Sequence, residues 1–388
     1  MRLALSYPGC HKRAGVERIM LECANFLAVR GHEVTVYAAE IEYDSLDPRI
    51  RAELLPMPDK RFSAPLGLFA RAVDKKIRQE HFDAHCTFGV VCSDGGIEWV
   101  QSVHKAWLEV SQSTRDLGGR LKQLCNPIHP LLLKQEHHRF AGKNYRRLIA
   151  LTPRVKDDLE RLYGVPSADI EVLPNGFSAG EFNVSTVSQY RERCRRELGY
   201  KASDKVIIFV ANELERKGFF SLTRAVAMLQ NPDLKLLIVG NVDAQKQMNY
   251  LADLGLHNAT KFVGQSAQVQ KYYAAADLFA LPTKYEAWGM VIVEAMACGL
   301  PAITSRLAGA SVAVTEGVNG FLLDNPSDPQ EVSTKIQQAL FSFSCDPNHV
   351  SASVARFSWD NILTEYESIA LAQCTGKTGS AARQLAVR

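Results

Sequence analysis

Short apolar runs alternate with amphipathic segments along the chain, and this alternation predicts its secondary structure. Residues Leu3 to Ser6 are typical of a buried strand, and a loop containing Gly9 and Gly15 follows them. From about Glu17 onward, apolar residues recur at helical spacing. These residues are Ile19, Met20, Cys23, Phe26 and Leu27. The chain is therefore predicted to open as a strand, a loop and a helix.

The same alternation occurs in two successive series. In the first, Val34, Val36 and Tyr37 predict the next strand, and similar runs continue to residues 148–152. The turn-forming segment 173–177 and the polar, Arg-rich segment 185–196 then interrupt the pattern. The second series has predicted strands at 206–211, 234–239, 261–263, 278–281 and 302–304. Helices and strands in alternation imply an α/β fold with two Rossmann-like domains, each built on a parallel sheet.

Composition limits the functional classes that fit this chain. With 388 residues, 46% hydrophobic and 22% charged, the chain is long enough for two buried cores and typical of a globular protein. No apolar run approaches the roughly 18 residues of a membrane span. The short N-terminal apolar run ends at Pro8, which is atypical of a signal peptide, so we expect a cytoplasmic protein. The nine cysteines include no C-x-x-C pair, which favours reduced thiols over structural zinc.

Positive charge is concentrated in residues 101–150. This stretch carries nine Lys and Arg residues against three Asp and Glu residues, in a chain of net charge +3. The cations alternate with apolar residues, a pattern that suits contact with anionic lipid or a phosphorylated acceptor, or else an ordinary solvated helix face. Eight of the nine form this pattern: Arg115, Arg120, Lys122, Lys134, Arg139, Lys143, Arg146 and Arg147. Because only this stretch is basic, a nucleic-acid-binding protein is disfavoured.

The most informative motif is the segment from Tyr285 to Pro301, in which Glu286 and Glu294 flank a Gly-containing turn. A short helix is predicted to begin near Gly289 and to end before Gly299. The backbone amides at its start would then favour a diphosphate or a sugar hydroxyl. They belong to Gly289, Met290 and Val291. We expect Glu286 to orient a donor sugar and Glu294 to accept hydrogen bonds from a ribose diol.

This segment resembles the E-x7-E motif of retaining glycosyltransferases, specifically family 4. The resemblance implies a GT-B fold, in which two Rossmann-like domains face each other across a deep cleft. We accordingly predict an N-terminal acceptor-binding domain at 1–180, to which a crossover helix at about 357–373 returns. A C-terminal nucleotide-sugar-binding domain is predicted at 190–356 and a flexible tail at 377–388.

A pair of cations, Arg216 and Lys217, precedes Gly218 after the first strand of the second domain. Cations at this position can neutralise a departing nucleoside diphosphate. The family more often has a GRL segment before KG, whereas here Asn212, Glu213 and Leu214 replace GRL. This arrangement is similar to that of bacterial lipopolysaccharide-core glucosyltransferases. The resemblance assigns Arg216 and Lys217 to catalysis and Asn212 to donor binding.

Three further regions agree with the family. The segment 14–18 resembles the family's GG-x-E-R loop, with Ala14 in place of the first Gly and Gly15 as the candidate phosphate contact. His104 lies near the position where the family has a His or Asp facing the donor sugar, although it also fits a structural histidine. The region of Phe262 and Val263 resembles the family's nucleobase-binding wall. No metal site is expected, because no carboxylate or thiol completes a set with His129, His137 and His138.

The resemblance implies a metal-independent, retaining reaction that needs no cofactor besides its nucleotide-sugar donor. UDP-glucose is the favoured donor, and a saccharide or lipid-linked molecule of envelope or exopolysaccharide assembly is the favoured acceptor. Two alternatives stay open: a sugar-nucleotide epimerase of the same fold, and an inactive homologue that binds at the membrane. A dinucleotide-dependent oxidoreductase is disfavoured because neither opening loop contains G-x-G-x-x-G.

Overall fold

A computed structural model describes residues 1–13, 15–55, 57, 64–89, 96–114, 123, 126 and 128–375. The chain divides into two compact units. The first contains Met1–Asn175 and the segment from Asp360 onward, and the second is Gly176–Trp359. Residues 176–180 therefore belong to the second unit.

The first unit is built on a seven-stranded sheet in the order β5-β3-β1-β6-β7-β8-β9, and every neighbouring pair is parallel. The order reverses between β1 and β6, which places a ligand crevice at the carboxyl ends of these strands. A separate two-stranded ladder pairs β2 with β4. The strands are β1 (Arg2–Ser6), β2 (Gly9–Cys10), β3 (Glu33–Ala38), β4 (Glu40–Ile41), β5 (Arg51–Leu54), β6 (Ala84–Phe88), β7 (Ile97–Val100), β8 (Arg147–Ala150) and β9 (Ile170–Val172).

Helices follow most of these strands. They are α1 (Gly15–Val29), α2 (Ala64–Gln79), α3 (His104–Thr114), α4 (Ile128–Glu136) with a π-helical turn at His137–Ala141, and α5 (Pro153–Tyr163). Strand β6 is buried along its whole length, although it contains His85 and Thr87.

The second unit has a six-stranded parallel sheet in the order β12-β11-β10-β13-β14-β15. This is the 3-2-1-4-5-6 order of a Rossmann sheet, with its reversal between β10 and β13. The strands are β10 (Lys205–Val210), β11 (Leu234–Val239), β12 (Thr260–Phe262), β13 (Leu278–Leu281), β14 (Ala302–Ser305) and β15 (Gly320–Leu323). The helices are α6 (Val184–Glu197), α7 (Leu214–Lys217), α8 (Phe219–Met228), α9 (Ala244–Asp253), α10 (Gln270–Ala275), α11 (Met290–Ala297), α12 (Pro329–Gln337) and α13 (Pro347–Ser353).

The last helix, α14 (Trp359–Thr375), packs into the first unit from Asp360 onward. Tyr366 stacks on Trp99 of β7 with ring centroids 4.9 Å apart, and Glu367 forms ion pairs with Arg30 and His32 after α1. The C-terminal part of the chain thus completes the N-terminal core.

These observations confirm the α/β prediction of two Rossmann-like units with parallel sheets. The Arg-rich segment 185–196 forms helix α6 rather than an irregular connection. It begins at Asn183, whose side chain accepts a hydrogen bond from the amide of Thr186 at 2.8 Å. Arg191 and Arg195 on this helix pair with Asp277 at 2.6 and 3.3 Å. Its cations therefore anchor it to the second unit.

The basic stretch 101–150 does not form a single charged surface. Arg139 is only 1% exposed and pairs with the buried carboxylate of Glu98 at 2.9 Å, because it lies in the π-helical turn that packs on β7. Arg147 is part of β8, whereas Lys134 and Lys143 are exposed. The predicted contacts of Arg115, Arg120 and Lys122 lie outside the described residues, as do Ala14 and the tail 377–388. Among the described helices, none has the length and apolarity needed to cross a bilayer.

Candidate active site

The candidate site of the second unit lies at the carboxyl ends of β10 and β13, where the strand order reverses. The short helix α7 follows β10 and ends at Gly218, and the loop carrying Glu286 follows β13. These two segments are in contact through the backbone, because the amide of Lys284 donates to the carbonyl of Arg216 at 2.8 Å. Parallel-sheet enzymes of this topology bind their ligands at such an edge.

Gly218 allows this close approach. Its φ is +84°, and a Cβ atom at this position would lie 1.9 Å from the carbonyl oxygen of Pro282. A side chain would therefore overlap the backbone that follows β13, in addition to the strain of a left-handed conformation. The glycine holds α7 against the loop that carries Glu286.

Three of the predicted catalytic residues meet in one cluster. The carboxylate of Glu286 receives a direct contact from the ammonium of Lys217, and its Oε2 atom lies 3.4 Å from Nη1 of Arg216. Nη1 of Arg216 also donates to the carbonyl of Tyr285 at 2.6 Å. The remaining edge of the guanidinium is held by Glu213, with Nε to Oε2 at 3.0 Å and Nη2 to Oε1 at 2.9 Å. Two cations and two carboxylates thus form a charge-balanced cluster.

Lys217 is the more enclosed of the two cations, with 14% of its side chain exposed. Burial, together with the neighbouring charge of Arg216, lowers the pKa of Lys217 to about 7, and the carboxylate of Glu213 acts in the opposite direction. The contact with Glu286 also favours the protonated form. A lysine with this pKa gains positive charge readily when an anion approaches it.

The loop that carries Glu286 is fixed from both sides. The backbone amide of Glu286 donates to the carbonyl of Leu307 at 3.3 Å, and the backbone carbonyl of Glu286 accepts from the amide of Gly309 at 3.0 Å. The hydroxyl of Thr283 lies within 3.2 Å of the Arg216 carbonyl and 3.0 Å of the Tyr285 carbonyl. Ser305 in turn donates to the carbonyl of Thr283 at 2.5 Å. Glu286 therefore has a defined position.

Helix α11 begins directly after this loop. Gly289 is its N-terminal cap with φ +100°, so the amides of Met290 and Val291 lie in the first turn, as the sequence predicts. Glu294 lies further along the same helix and is only 4% exposed. Burial, together with the charge of Glu294, raises the pKa of the Cys298 thiol. The helix thus places a positive N-terminal end and a buried carboxylate on one element.

The loops after β10, β11 and β12 are joined by hydrogen bonds. The side-chain oxygen of Asn212 accepts from the amide of Asn241 at 2.8 Å, and the amide of Gly240 donates to the carbonyl of Gly264 at 2.9 Å. Phe262 at the end of β12 packs on Phe219 with centroids 6.4 Å apart, and Val263 follows it. The predicted donor-binding residues of this unit therefore all lie at the carboxyl edge of the sheet or in α11.

The two candidates of the first unit lie at its own strand ends. Gly15 is the first residue of α1, which follows β1 and the short strand β2. His104 is the first residue of α3, after β7, and the carboxylate of Glu136 accepts from the amides of His104 and Lys105. Glu136 therefore caps α3, and it also accepts a hydrogen bond from the hydroxyl of Tyr163 at 2.5 Å.

The side chain of His104 belongs to an aromatic group. Its ring stacks on Trp107 with centroids 5.4 Å apart, and its Nε2 atom lies 3.0 Å from Nδ1 of His129. Burial and the neighbouring His129 lower the pKa of His104 to about 4, so the imidazole is neutral at physiological pH. A neutral histidine can exchange hydrogen bonds with sugar hydroxyls. Across the described residues, no group of three or more His, Cys, Asp and Glu side chains has the arrangement of a metal site.

The sequence did not identify Glu213, Thr283, Ser305 or Glu136 as functional residues. Thr283 and Ser305 follow buried strands at the sheet edge, which is a usable signal once the strand order is known. Glu136 gave no signal, because a single glutamate in a charged segment is ordinarily solvated, and Glu213 was marked only as a departure from the GRL segment.

Comparison with known proteins agrees with this geometry. The model of "Glycosyltransferase Family 4" matches residues 13–180, and that of "Glycosyl transferases group 1" matches residues 191–342. Each model thus covers most of one unit.

Relatives and solved structures extend the comparison. An uncharacterised glycosyltransferase of Methanocaldococcus jannaschii is 24% identical over 88% of this chain and 90% of its own length. A D-inositol 3-phosphate glycosyltransferase of Corynebacterium diphtheriae is 28% identical over 94% of this chain and 91% of its own length. Other relatives of that name match only about half of their own length.

Two solved structures share the fold. WaaG, a glycosyltransferase involved in lipopolysaccharide biosynthesis, has a TM-score of 0.75 at 20% identity and covers 97% of this chain and 100% of its own. HepE of Anabaena, solved in complex with UDP-glucose, has a TM-score of 0.72 at 19% identity and covers 96% of this chain and 100% of its own.

Proposed function

Since the chain belongs to the family 4 glycosyltransferases of the GT-B fold, we propose that it transfers glucose from UDP-glucose to a saccharide or lipid-linked acceptor. The proposed reaction retains the anomeric configuration, needs no metal ion and serves envelope or exopolysaccharide assembly. That the enzyme transfers a sugar from a nucleotide sugar is a property of the family; the identity of the sugar, the acceptor and the mechanism are the proposal.

The observation that carries the proposal is the contact of Lys217 and Arg216 with Glu286 at the reversal point of the second sheet. Breaking the bond between the anomeric carbon and the diphosphate oxygen leaves negative charge on the diphosphate. Lys217 and the first amides of α11 can stabilise this charge, which is an interaction that strengthens in the transition state. Glu286, fixed by its loop, is suited to accept hydrogen bonds from hydroxyls of the donor sugar.

In the proposed mechanism, the acceptor hydroxyl attacks the anomeric carbon from the face that the diphosphate leaves. No covalent sugar–enzyme intermediate is formed, and neither Glu286 nor Glu294 is assigned the role of a nucleophile. Glu294 accepts hydrogen bonds from the ribose diol, because it is a buried carboxylate on the helix whose first amides meet the diphosphate. The assignments of Gly15 to a phosphate contact and of His104 to the donor sugar remain predictions from the sequence.

UDP-glucose is the favoured donor because HepE, which shares the fold, binds it. Two comparisons suggest different acceptors. WaaG is involved in lipopolysaccharide biosynthesis, which favours a saccharide or lipid-linked acceptor, whereas the Corynebacterium relative is named for inositol 3-phosphate. The cysteines that the structure describes are all free thiols, which fits a reducing, cytoplasmic location. Contact with an anionic membrane would involve exposed cations such as Lys134 and Lys143.

Calorimetric titration of the purified protein against UDP, GDP, UDP-glucose and NAD, with EDTA present, tests the proposal. We expect UDP and UDP-glucose to bind, and Glu294→Ala to abolish this binding. The matched control is Glu192→Ala, which removes an exposed carboxylate of α6 in the same unit and should bind as the wild type does. If only GDP binds, the donor is a GDP-sugar and not UDP-glucose. If folded protein binds none of these compounds, the transferase function is contradicted.

The acceptor is tested once a donor binds. Radiolabelled UDP-glucose is incubated with lipid-linked saccharide and, separately, with inositol 3-phosphate, and the product's anomeric configuration is read by NMR. We expect transfer to the saccharide with retention. Transfer to inositol 3-phosphate alone would reassign the acceptor, and an inverted product would refute the mechanism.

A further inference from the structure

Glu213 lies at the N-terminal end of α7, where the sequence departs from the GRL segment noted above. In the structure, this carboxylate binds Arg216 at two points, with N–O distances of 3.0 and 2.9 Å. A two-point pair fixes both the position and the plane of a guanidinium. Glu213 therefore holds the guanidinium of Arg216 in place.

Arg216 in turn holds the catalytic loop. With one edge taken by Glu213, its Nη1 atom points to the carbonyl of Tyr285 at 2.6 Å and to the carboxylate of Glu286 at 3.4 Å. Its carbonyl accepts the amide of Lys284 at 2.8 Å. In this arrangement the guanidinium contacts protein groups on both edges, and it connects α7 to the loop after β13.

We propose that Glu213 is a positioning residue for sugar transfer: it orients Arg216, which holds Glu286 and the neighbouring Lys217 in the geometry that meets the donor diphosphate. This inference rests on the proposed function and deepens it. Arg216 accordingly acts mainly through Glu286 and Lys217, and Lys217 is the cation that faces the leaving group.

The neighbouring acid Glu215 provides a matched control. It lies in α7, whereas Glu213 caps the N-terminus of that helix, and the two are similarly exposed, with 71% of the Glu215 side chain accessible against 61% for Glu213. Glu215 pairs with Lys284 at 2.5 Å and not with Arg216. Replacing either acid by Gln removes one negative charge from α7, but only the Glu213 change releases the guanidinium.

Turnover is measured as release of UDP from UDP-glucose, with water in place of the acceptor when no acceptor is known. In this reaction the water oxygen bonds to the anomeric carbon as the bond to the diphosphate oxygen breaks, and the proton that the water loses passes to the released UDP or to solvent. At a pH well below the pKa of Lys217, where this lysine is protonated in both forms, we expect Glu213→Gln to lower kcat about fivefold without raising KM for UDP-glucose, because only positioning is lost. Glu215→Gln should stay within about twofold of wild type in both constants.

The pH profile distinguishes positioning from a general loss of structure. The charged groups that face Lys217 are Glu213 and Arg216 from α7 and Glu286 from the loop after β13. Because Glu213 raises the pKa of Lys217, its removal should move the alkaline limb of UDP binding to lower pH. Glu213→Asp keeps the charge, so the limb should return to its wild-type position and kcat should be partly restored.

The outcomes separate this inference from the proposed function. If wild type binds none of the nucleotides, the proposed function fails and the inference fails with it. If wild type binds UDP and Glu213→Gln matches Glu215→Gln in kcat and in its pH limb, only the role of Glu213 is overturned. If Glu213→Gln raises KM and lowers kcat together, with the alkaline limb of UDP binding unchanged, the positioning role is also overturned and Glu213 is purely structural.

Discussion

Replacing Gly218 by Ala should damage the candidate site through a specific overlap. The new Cβ atom would lie 1.9 Å from the carbonyl oxygen of Pro282, and the φ of +84° would be strained for Ala as well. Since the overlapping atom belongs to the backbone, α7 has to move away from the loop after β13. Lys217, the residue immediately before Gly218, moves with it.

A second glycine separates the two causes. Gly255 also has a left-handed backbone, with φ +70°, but a Cβ atom there would have nothing within 4 Å. Gly255→Ala should therefore cost only the conformational strain of about 1–2 kcal/mol. Gly218→Ala carries the same strain plus an overpacking cost of about 1–3 kcal/mol. The difference between the two variants isolates the close approach.

Thermal unfolding and UDP titration measure the two effects. For a unit of this size, about 1 kcal/mol corresponds to a Tm change of roughly 2–4 °C. Gly255→Ala should thus lower Tm by about 2–8 °C and bind UDP as wild type does. Gly218→Ala should lower Tm further and weaken UDP binding by about tenfold or more, because small displacements at a positioned site are costly.

Equal Tm losses in the two alanine variants, together with unchanged UDP affinity in both, would refute this reasoning. Such a result would mean that the backbone near Pro282 yields without moving Lys217. The contact between α7 and the loop after β13 would then be incidental to donor binding.

Three other predictions follow from the structure. Because the pKa of Lys217 is lowered to about 7, UDP binding at pH 7–8 should take up a proton, and the affinity for UDP should fall above pH 7. Calorimetry in buffers of different ionisation enthalpy measures the proton uptake, and Lys217→Arg should abolish it. Burial raises the pKa of Glu98 from 4.5 to about 7, so its contribution to folding stability falls as pH rises through that window, and Glu98→Gln should flatten Tm against pH there. Tyr366→Ala removes the stack on Trp99 and should cost about 3–5 kcal/mol, whereas Leu371→Ala on the exposed side of α14 should change stability by less than about 0.5 kcal/mol, as measured by urea unfolding.

Most strands of the second sheet could be predicted because they are short, largely apolar runs. The predicted strands 234–239 and 278–281 have the observed bounds, and the strand predicted at 261–263 is shifted by one residue, to Thr260–Phe262. Periodicity failed for α6, because its buried positions include Arg195, a cation that binds carbonyl groups and Asp277 instead of joining an apolar stripe. Hydrophobic periodicity cannot reveal a helix face whose buried contacts are polar.

The same limit explains which site residues the sequence revealed. Glu286 and Glu294 belong to a long motif with a fixed spacing, so their positions could be predicted before the fold was known. Arg139 was assigned to a charged surface, although it is buried against Glu98, since its partner is distant along the chain. A charge that is satisfied by a remote residue looks, in the sequence, like a charge that is solvated.

The four charges of the segment 213–217 illustrate what the fold adds. In sequence they form one mixed cluster, but the structure assigns Glu213 to Arg216, Glu215 to Lys284 and Lys217 to Glu286. Each cation near the proposed diphosphate is thus already paired before the donor arrives. A diphosphate enters an electrically balanced site, so it must exchange partners with these carboxylates rather than meet unpaired cations. Donor affinity then depends on how readily Glu286 turns from Lys217 to the sugar and how fully Lys217 is protonated.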